Sequence, residues 1–471
     1  MNASLTRFRI EKLHGLRTFD IPIVENRLVL VGENGSGKST VANLIYYFLT
    51  RQWSRVREYK FDAIEATVSD SRVRITHEDL KHLLASRTRA VHQAEFAFMR
   101  RGRPFLFDFD APPFPEDSPE YARFVERTAE ELEVPTIVAQ DMFRKSRRKS
   151  KLPAKLAESV ELLKSLDFGQ FLYLPTYRRI EQDLKSIFRG AAIEEKIREF
   201  RDRVKKREQS IFIELVEFGM EDVEKTISER MAKIKESVRA GLNNLTGAYL
   251  REVLRGLDDP AADVAVLRSI EPAVFESIFA RIDETTLPPS DKELLKTRIA
   301  NIAQQGYGVG PDDKVIAHFL SKLVALHREQ QASEADVRQF AQLCNAYLTG
   351  KQLVYDDVNY VIYIEQEDSP PAVKDAEDKL KLKMLSSGEK QIVSLFSHIY
   401  FSGDRNYFVI IDEPELSLSV PWQQRFLPDI INTGRCTGMI AVTHSPFIWD
   451  NALEPFVHPL AEFTELPNVI R

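Results

Sequence analysis

The chain has 471 residues, with 65 Lys and Arg against 71 Asp and Glu and a formal net charge of -6 at pH 7. This length allows more than one domain, and the mildly acidic balance excludes a protein covered in basic charge, although a local basic strip could still meet nucleic acid. Cys344 and Cys436 are far apart without CxxC spacing, so neither a zinc site nor a disulfide framework is predicted. Residues 1–30 hold no signal-peptide pattern, and no apolar run is long enough for a membrane span, so we expect a cytoplasmic protein without membrane contact.

The N-terminal part of the chain predicts strands around a glycine-rich loop. Extended stretches precede the short apolar run at 27–31, which leads directly into glycines. Apolar residues from Val41 to Leu49 then recur at helical spacing. Residues from about 60 to 110, with period-two alternation from Phe96 to Phe109, predict a β-subdomain.

The glycine-rich loop is a phosphate-binding motif. Residues 32–39 read GENGSGKS, fit GxxxxGK[ST] and lie between a predicted strand and a predicted helix. Glycines let backbone N–H groups turn towards phosphate oxygens, and the helix N-terminus adds a positive dipole. Lys38 would reach the β- and γ-phosphates of ATP, and Ser39 would coordinate Mg²⁺; an accidental glycine-rich turn is the alternative. The residues predicted to bind the nucleotide here are Gly32, Asn34, Gly35, Ser36, Gly37, Lys38, Ser39 and Thr40.

A basic cluster at 144–151 precedes a short apolar strand, Phe171–Leu174. The cluster is either solvated or a contact for phosphates of DNA. The stretch after the strand occupies the expected place of a glutamine loop, which makes Arg178, Arg179 and Gln182 candidates, although surface arginines explain the same residues.

The central part of the chain has a sequence pattern typical of helices. Residues 181–255 are dense in Glu, Lys and Arg, with apolar residues at helical spacing, and predict antiparallel helices that project from the globular part. Helical texture resumes at 291–348, and 353–364 returns to strand alternation. Gly306, Gly308 and Gly310 lack a strand-to-helix frame and predict a flexible connector.

A second anion site is predicted where LSSGEKQ, at 385–391, opens an amphipathic helix. Because the phosphate loop already surrounds its own nucleotide, this site has a use only if it meets the γ-phosphate held by another subunit. The alternative is an ordinary capping box from Ser386 to Glu389. The residues predicted to bind nucleotide here are Ser386, Ser387, Gly388 and Glu389.

The apolar strand at 408–411 ends in two carboxylates, Asp412 and Glu413. This arrangement places acid at the carboxyl edge of a parallel sheet, beside the phosphate loop. Asp412 would hold Mg²⁺, and Glu413 would orient and deprotonate the attacking water. Alone, such an ending is often a solvated turn, but its position after the LSSGEKQ segment favours the catalytic interpretation.

The chain resembles the ABC ATPase superfamily, in its SMC-like, RecF-like and OLD-like branch (AAA15/AAA21-like). The resemblance depends on GENGSGKST, LSSGEKQ, VIIDEPELSLS and AVTHSP in this order. It implies an α/β ABC-type P-loop ATPase head, a mixed sheet with flanking helices plus a β-subdomain, and an inserted helical or coiled-coil domain. The implied ranges are an N-terminal ATPase lobe at 1–180, a coiled-coil-like helical arm at 181–348 and a C-terminal ATPase lobe at 349–471.

The resemblance also implies roles for individual residues. Ser387 and Gly388 would contact the γ-phosphate in trans, and the segment 415–419 would communicate between subunits, although many relatives have histidine where this chain has Ser419. His444, which alone would more often be structural, would take the switch position beside the γ-phosphate. The implied catalytic residues are Lys38, Glu413 and His444, with ATP as substrate and Mg²⁺ as cofactor.

The chain resembles several other classes of ABC ATPase less well. A transporter subunit would usually lack the long insertion, and true SMC proteins carry much longer coiled coils. OLD-family proteins add a nuclease domain, for which the residues after His444 are too few, so we expect no intrinsic nuclease. The segments EPELSLS, Trp422-Gln423 and YLPTYRRIE resemble the sequences of stand-alone ATPases of two-gene anti-phage systems such as PARIS and Septu.

This similarity implies a homodimer or higher homo-oligomer that closes its heads around ATP and gates a separately encoded effector nuclease. The alternative is a RecF- or SMC-like repair or recombination ATPase that binds DNA.

Overall fold

The structure is a computed structural model of the chain. It describes residues 3–69, 71–85, 118–132, 136–137, 140, 153–175, 212–214, 220–255, 260–282, 284–285, 287–304, 310–366, 382–403 and 405–465. Three sequence predictions fall wholly outside these ranges: the alternation from Phe96 to Phe109, the basic cluster at 144–151, and the glutamine-loop candidates Arg178, Arg179 and Gln182. Two of the three glycines of the predicted connector, Gly306 and Gly308, also lie outside them.

The chain divides into two compact units. The first unit consists of Met1–Glu217 and Arg405–Arg471, and the second unit is Phe218–Asp404. These limits differ from the ranges 1–180, 181–348 and 349–471, which divide the chain by role rather than by packing. The second unit therefore holds the LSSGEKQ segment together with the central helices.

A parallel sheet carries the motifs of the first unit. All its strands run parallel, in the order β12-β3-β11-β10-β6-β7. Every residue of the apolar strand β10 is buried, as expected for a strand covered on both faces. The register pairs Asp412 with Val442 and Val442 with Leu30, so three strands end at one edge. The strands are β3 (Arg27–Val31), β6 (Gln170–Leu174), β7 (Phe212–Glu214), β10 (Tyr407–Asp412), β11 (Cys436–Val442) and β12 (Val457–Pro459).

An antiparallel sheet completes the first unit, in the order β13-β2-β1-β4-β5. Phe8 and Ile10 point into the core, as their alternation predicts, and the Phe8 ring meets Phe48 edge-on at 5.7 Å between centroids. The strands are β1 (Leu5–Leu13), β2 (Arg17–Pro22), β4 (Ala63–Val68), β5 (Ser71–Thr76) and β13 (Thr464–Glu465).

The described part of the predicted β-subdomain is only partly strand. The stretches Ala63–Val68 and Ser71–Thr76 are paired antiparallel strands, whereas the expectation of strand is wrong for His77–Ala85, which form helix α3. Reciprocal capping explains this helix: the Asp79 carboxylate accepts the Thr76 N–H at 2.8 Å, and the Thr76 hydroxyl accepts the Asp79 N–H at 3.1 Å. The other helices of the first unit are α1 (Lys38–Leu49), α2 (Trp53–Val56), α4 (Pro119–Leu132), α5 (Ala154–Ser165) and α13 (Val420–Asn432).

The second unit contains a helical bundle with its own core. One 36-residue helix, α6 (Met220–Arg255), is followed by shorter helices, several of which begin at a proline. Phe275, Phe279, Leu320 and Val324 are among the residues of a separate apolar cluster. The described helices are therefore packed as a bundle rather than as an isolated two-helix arm. The shorter helices are α7 (Pro260–Arg268), α8 (Pro272–Ala280), α9 (Pro289–Gln304), α10 (Pro311–Ser333), α11 (Ala335–Asn345) and α12 (Ser387–Phe401).

A hairpin in the second unit is tied to this bundle by charge. It consists of β8 (Lys351–Asp356) and β9 (Val361–Gln366). The buried Arg281 guanidinium donates to Glu334 at 2.8 and 3.0 Å and to Asp357, between the two strands, at 2.8 Å. The bidentate pair with Glu334 fixes the orientation of the guanidinium, and its bond to Asp357 links the hairpin to the bundle.

Two smaller expectations concern described residues. Gly310 is the N-cap residue of α10, and the connector stays a prediction because residues 305–309 lie outside the described ranges. Among the helices that the structure describes, none combines the length and apolarity needed to cross a membrane.

Candidate functional site

The phosphate loop connects β3 to α1, as its motif predicts. Gly35 and Gly37 have φ angles of 78° and 104°, a backbone region in which a side chain would be strained. Gly37 is the N-cap residue of α1, and no side chain caps the first turn. Backbone N–H groups at the start of a helix lack partners within the helix, so this end is suited to an anion.

The Lys38 side chain is folded into the loop. Its ammonium donates to the carbonyl oxygens of Gly32 and Glu33, both at 2.9 Å, and the residue is only 4% exposed. Burial lowers the pKa of Lys38, and the nearby carboxylates of Asp412 and Glu413 oppose this shift. The cation is therefore held where the chain brings both carboxylates close.

Ser39 and Asp412 meet across the sheet edge. The Ser39 hydroxyl donates to Asp412 Oδ1 at 3.0 Å, although 373 positions separate the two residues. A hydroxyl and a carboxylate are hard oxygen donors, and Mg²⁺ in nucleotide sites is usually held by one or two such groups together with phosphates and water. This donor pair fits Mg²⁺. Among the described residues, no group of three or more His, Cys, Asp or Glu side chains could hold a metal by itself.

Glu413 lies at the turn that follows β10. Its φ of 52° is unusual for a residue with a side chain, and its N–H donates to Val442 O at 2.8 Å. Partial burial, followed by the charges of Asp412 and Glu415, raises the pKa of the Glu413 carboxyl. His444 and Lys38 oppose the shift, so both lie within electrostatic reach of this carboxylate.

His444 follows β11 at the same edge, where Glu415 contacts its backbone. Glu415 Oε1 accepts the His444 N–H at 2.9 Å, and Glu415 Oε2 accepts the Thr443 hydroxyl at 2.7 Å. His444 is exposed, whereas Thr443 is fully buried. The first unit thus brings Lys38, Ser39, Asp412, Glu413 and His444 to one edge of the parallel sheet.

The LSSGEKQ segment opens α12 in the second unit. The capping box, which was the alternative interpretation of this segment, is present: Ser386 Oγ accepts the Glu389 N–H at 3.4 Å, and the Glu389 carboxylate accepts the Ser386 N–H at 2.7 Å. These two predicted nucleotide ligands are therefore engaged with each other. The Ser387 side chain is exposed at the helix tip, directly before the buried Gly388.

Two contacts beside these motifs were not expected from the sequence. Lys351, on β8, donates to both Glu389 oxygens at 3.0 and 2.7 Å. Burial would raise the pKa of Glu389, but hydrogen bonds from Lys351 and Ser386 hold it below its ordinary value. In the first unit, Arg17 donates to the Ser36 carbonyl of the phosphate loop at 3.0 Å. Isolated lysines and arginines carry no local signal of such contacts, because tertiary structure decides their partners.

Comparison with known proteins gives one family match. Residues 4–449 match the model of the AAA_15 family, described as an AAA ATPase domain. No curated protein matches the sequence.

Solved structures with similarity to the chain include Smc head domains. One, from Pyrococcus furiosus, has an extended coiled coil and is bound to the C-terminal domain of ScpA; it is 11% identical with a TM-score of 0.33, covering 96% of this chain and 92% of that chain. Another Smc head, bound to the C-winged helix domain of ScpA, is 11% identical with a TM-score of 0.32, covering 94% and 90%. A third, from Pyrococcus yayanosii, has a coiled coil and joint; it is 15% identical with a TM-score of 0.29, covering 96% and 94%.

Proposed function

Because the chain belongs to the AAA_15 family of AAA ATPase domains, we propose that it is an SMC-like ABC ATPase that hydrolyses ATP between two copies of itself. The observation that carries this proposal is the 3.0 Å contact between Ser39 of the phosphate loop and Asp412 at the end of β10. It brings the phosphate loop together with the acidic end of β10, with Lys38 and Glu413 alongside.

In the proposed reaction the phosphate loop binds the triphosphate and Lys38 contacts its β- and γ-phosphates. Ser39 and Asp412 would hold Mg²⁺, which neutralises charge on the phosphates. Glu413 accepts a proton from the attacking water, and partial burial together with the neighbouring carboxylates raises its pKa, which makes it a stronger base. His444 lies beside the γ-phosphate and orients it.

The second half of each site would come from another copy. Ser387 and Gly388 lie at a helix N-terminus, where backbone N–H groups lack partners within the helix and a hydroxyl is exposed, so the tip favours an anion. Ser386 and Glu389 already bind each other, so we assign them to shaping the helix tip rather than to direct phosphate contact. The Glu389 charge, which would repel phosphate, is balanced by Lys351.

We further propose that ATP binding and hydrolysis gate a separately encoded effector nuclease in an anti-phage system. Support comes from the similarity of EPELSLS and YLPTYRRIE to stand-alone ATPases of such systems, and from a helical bundle with its own core that can serve as a sensing or assembly surface. A DNA-binding repair or recombination ATPase is the competing function.

One pair of measurements separates these functions. The full chain is co-expressed with the product of the neighbouring gene, and its ATPase rate is measured with and without duplex DNA from 50 to 200 mM salt. Effector gating predicts co-purification that changes between ATP and ADP, and an ATPase rate that DNA leaves within about twofold. A rate that DNA increases about tenfold or more, with steep loss at higher salt and no co-purification, would instead establish the DNA-binding function.

A further inference from the structure

Glu415 makes two hydrogen bonds to the segment that holds the histidine. Its two carboxylate oxygens divide between Thr443 Oγ1, at 2.7 Å, and the His444 backbone N–H, at 2.9 Å. Glu415 lies two residues after Glu413, and 28 positions separate it from Thr443. One side chain therefore connects the turn after β10 to the turn after β11.

The pattern of donors explains why a carboxylate suits this position. Thr443 Oγ1 accepts the Ser445 N–H at 3.0 Å, so its own proton is available to Glu415. The His444 backbone N–H can only donate. Glu415 faces two donors, and an ionised carboxylate is the side chain that accepts from both without presenting a donor of its own.

The turn that follows Glu415 is locally ordered. Glu415 O accepts the Leu418 N–H at 3.1 Å, and Ser417 has a φ of 65°. Gln423 Nε2 donates to Leu418 O at 2.9 Å, and Gln423 Oε1 accepts the Ser445 hydroxyl at 2.6 Å. Residues 415–419 and 443–445 therefore form one connected network, which we name the 415–445 network.

We propose that Glu415 is a positioning residue that fixes His444 relative to Glu413. The inference depends on the proposed function, in which both His444 and Glu413 act on ATP.

Three variants test the inference by ATPase kinetics. Glu415→Leu removes both acceptors and is expected to lower kcat about 10- to 100-fold, with KM for ATP changed less than about threefold, as for other residues that position a reacting group. Thr443→Val keeps the buried shape, removes one of the two hydrogen bonds and should give a smaller loss of kcat. Glu415→Gln retains one acceptor and should restore part of the rate.

A double-mutant cycle with His444→Ala distinguishes positioning from a general structural effect. If Glu415 acts through His444, Glu415→Leu should lower kcat less than about threefold further in the His444→Ala background. Glu161→Leu is the matched control, because it makes the same substitution at an exposed carboxylate of α5, outside this network; its kcat should stay within about threefold of the wild type.

The possible outcomes distinguish failure of the inference about Glu415 from failure of the proposed role of His444. Equal losses from Glu415→Leu with and without His444 would overturn the inference, and so would wild-type kcat in both Glu415→Leu and Thr443→Val. Wild-type kcat in His444→Ala would overturn both the inference and the proposed role of the histidine. Impaired His444→Ala with unimpaired Glu415→Leu would overturn the inference alone.

Discussion

Replacement of Glu413 by glutamine is expected to slow ATP hydrolysis about 10²- to 10⁴-fold while ATP binding is largely retained, because a positioned general base contributes a factor of this size. Glutamine keeps the length of the side chain but cannot take a proton from water. The variant should accumulate an ATP-bound, closed state. Phosphate release under saturating ATP measures the rate, and binding of a fluorescent ATP analogue measures affinity.

The pH dependence gives a second test of the same assignment. Only the ionised carboxylate is a base, and partial burial together with Asp412 and Glu415 raises the pKa of Glu413. Wild-type kcat should therefore fall as the pH drops through that raised pKa, and Glu413→Gln should lose this acidic limb. Glu25→Gln, which alters an exposed carboxylate, is the control and should keep it. Wild-type hydrolysis by Glu413→Gln would show that another group is the base.

Replacement of Lys38 by methionine is expected to weaken ATP binding about 10- to 100-fold, the range for losing hydrogen bonds to a charged group, and to remove detectable hydrolysis. Methionine retains the buried aliphatic stem, so the variant should fold. The ammonium that Gly32 and Glu33 hold in the loop is what disappears. Titration with ATP and magnesium measures the loss.

Lys12→Met provides the matched control for this substitution. Lys12 is exposed and pairs with Asp62, so its loss should leave ATP affinity and hydrolysis within about twofold of the wild type, as is usual for surface charges. Unchanged ATP affinity in Lys38→Met, with a thermal unfolding curve like that of the wild type, would contradict the assignment of the phosphate loop.

Local sequence patterns predicted the elements that the structure brings together at the proposed nucleotide site. The loop from Gly32 to Lys38 needs glycines where the backbone has a positive φ, and the spacing of glycines in the GxxxxGK[ST] motif places them there. The strand before Asp412 is apolar throughout, so its burial in a parallel sheet could be expected. In each case the information lies within a few neighbouring residues.

Other features depend on contacts between residues that are distant in the sequence, and one depends on a helix cap within a region predicted to be strand. The contacts of Lys351 with Glu389 and of Glu415 with Thr443 join residues 38 and 28 positions apart, with no local pattern to reveal them. The helix at His77–Ala85 does have a signal, the Thr76–Asp79 cap, which the surrounding alternation concealed.

The arrangement of the central helices is a further case. Helices that begin at Pro260, Pro272, Pro289 and Pro311 divide the region into short elements, and a bundle with an apolar core follows from their packing. The many charged residues along α6 led to the prediction of a projecting arm. A solvent-exposed helix face has the same sequence pattern in a bundle and in a coiled coil, so the sequence does not distinguish them.

The central claim is that each ATP is held by the phosphate loop of one copy and the helix tip of another. It is tested most directly by mixing Lys38→Met with Ser387→Arg, each expected to be inactive alone. Heterodimers of the two variants contain one site with Lys38 from one copy and Ser387 from the other. If dimers exchange at random and sites act independently, the equimolar mixture should recover roughly a quarter of the wild-type ATPase rate. A mixture no more active than the variants alone, or Ser387→Arg that is fully active by itself, would contradict the claim.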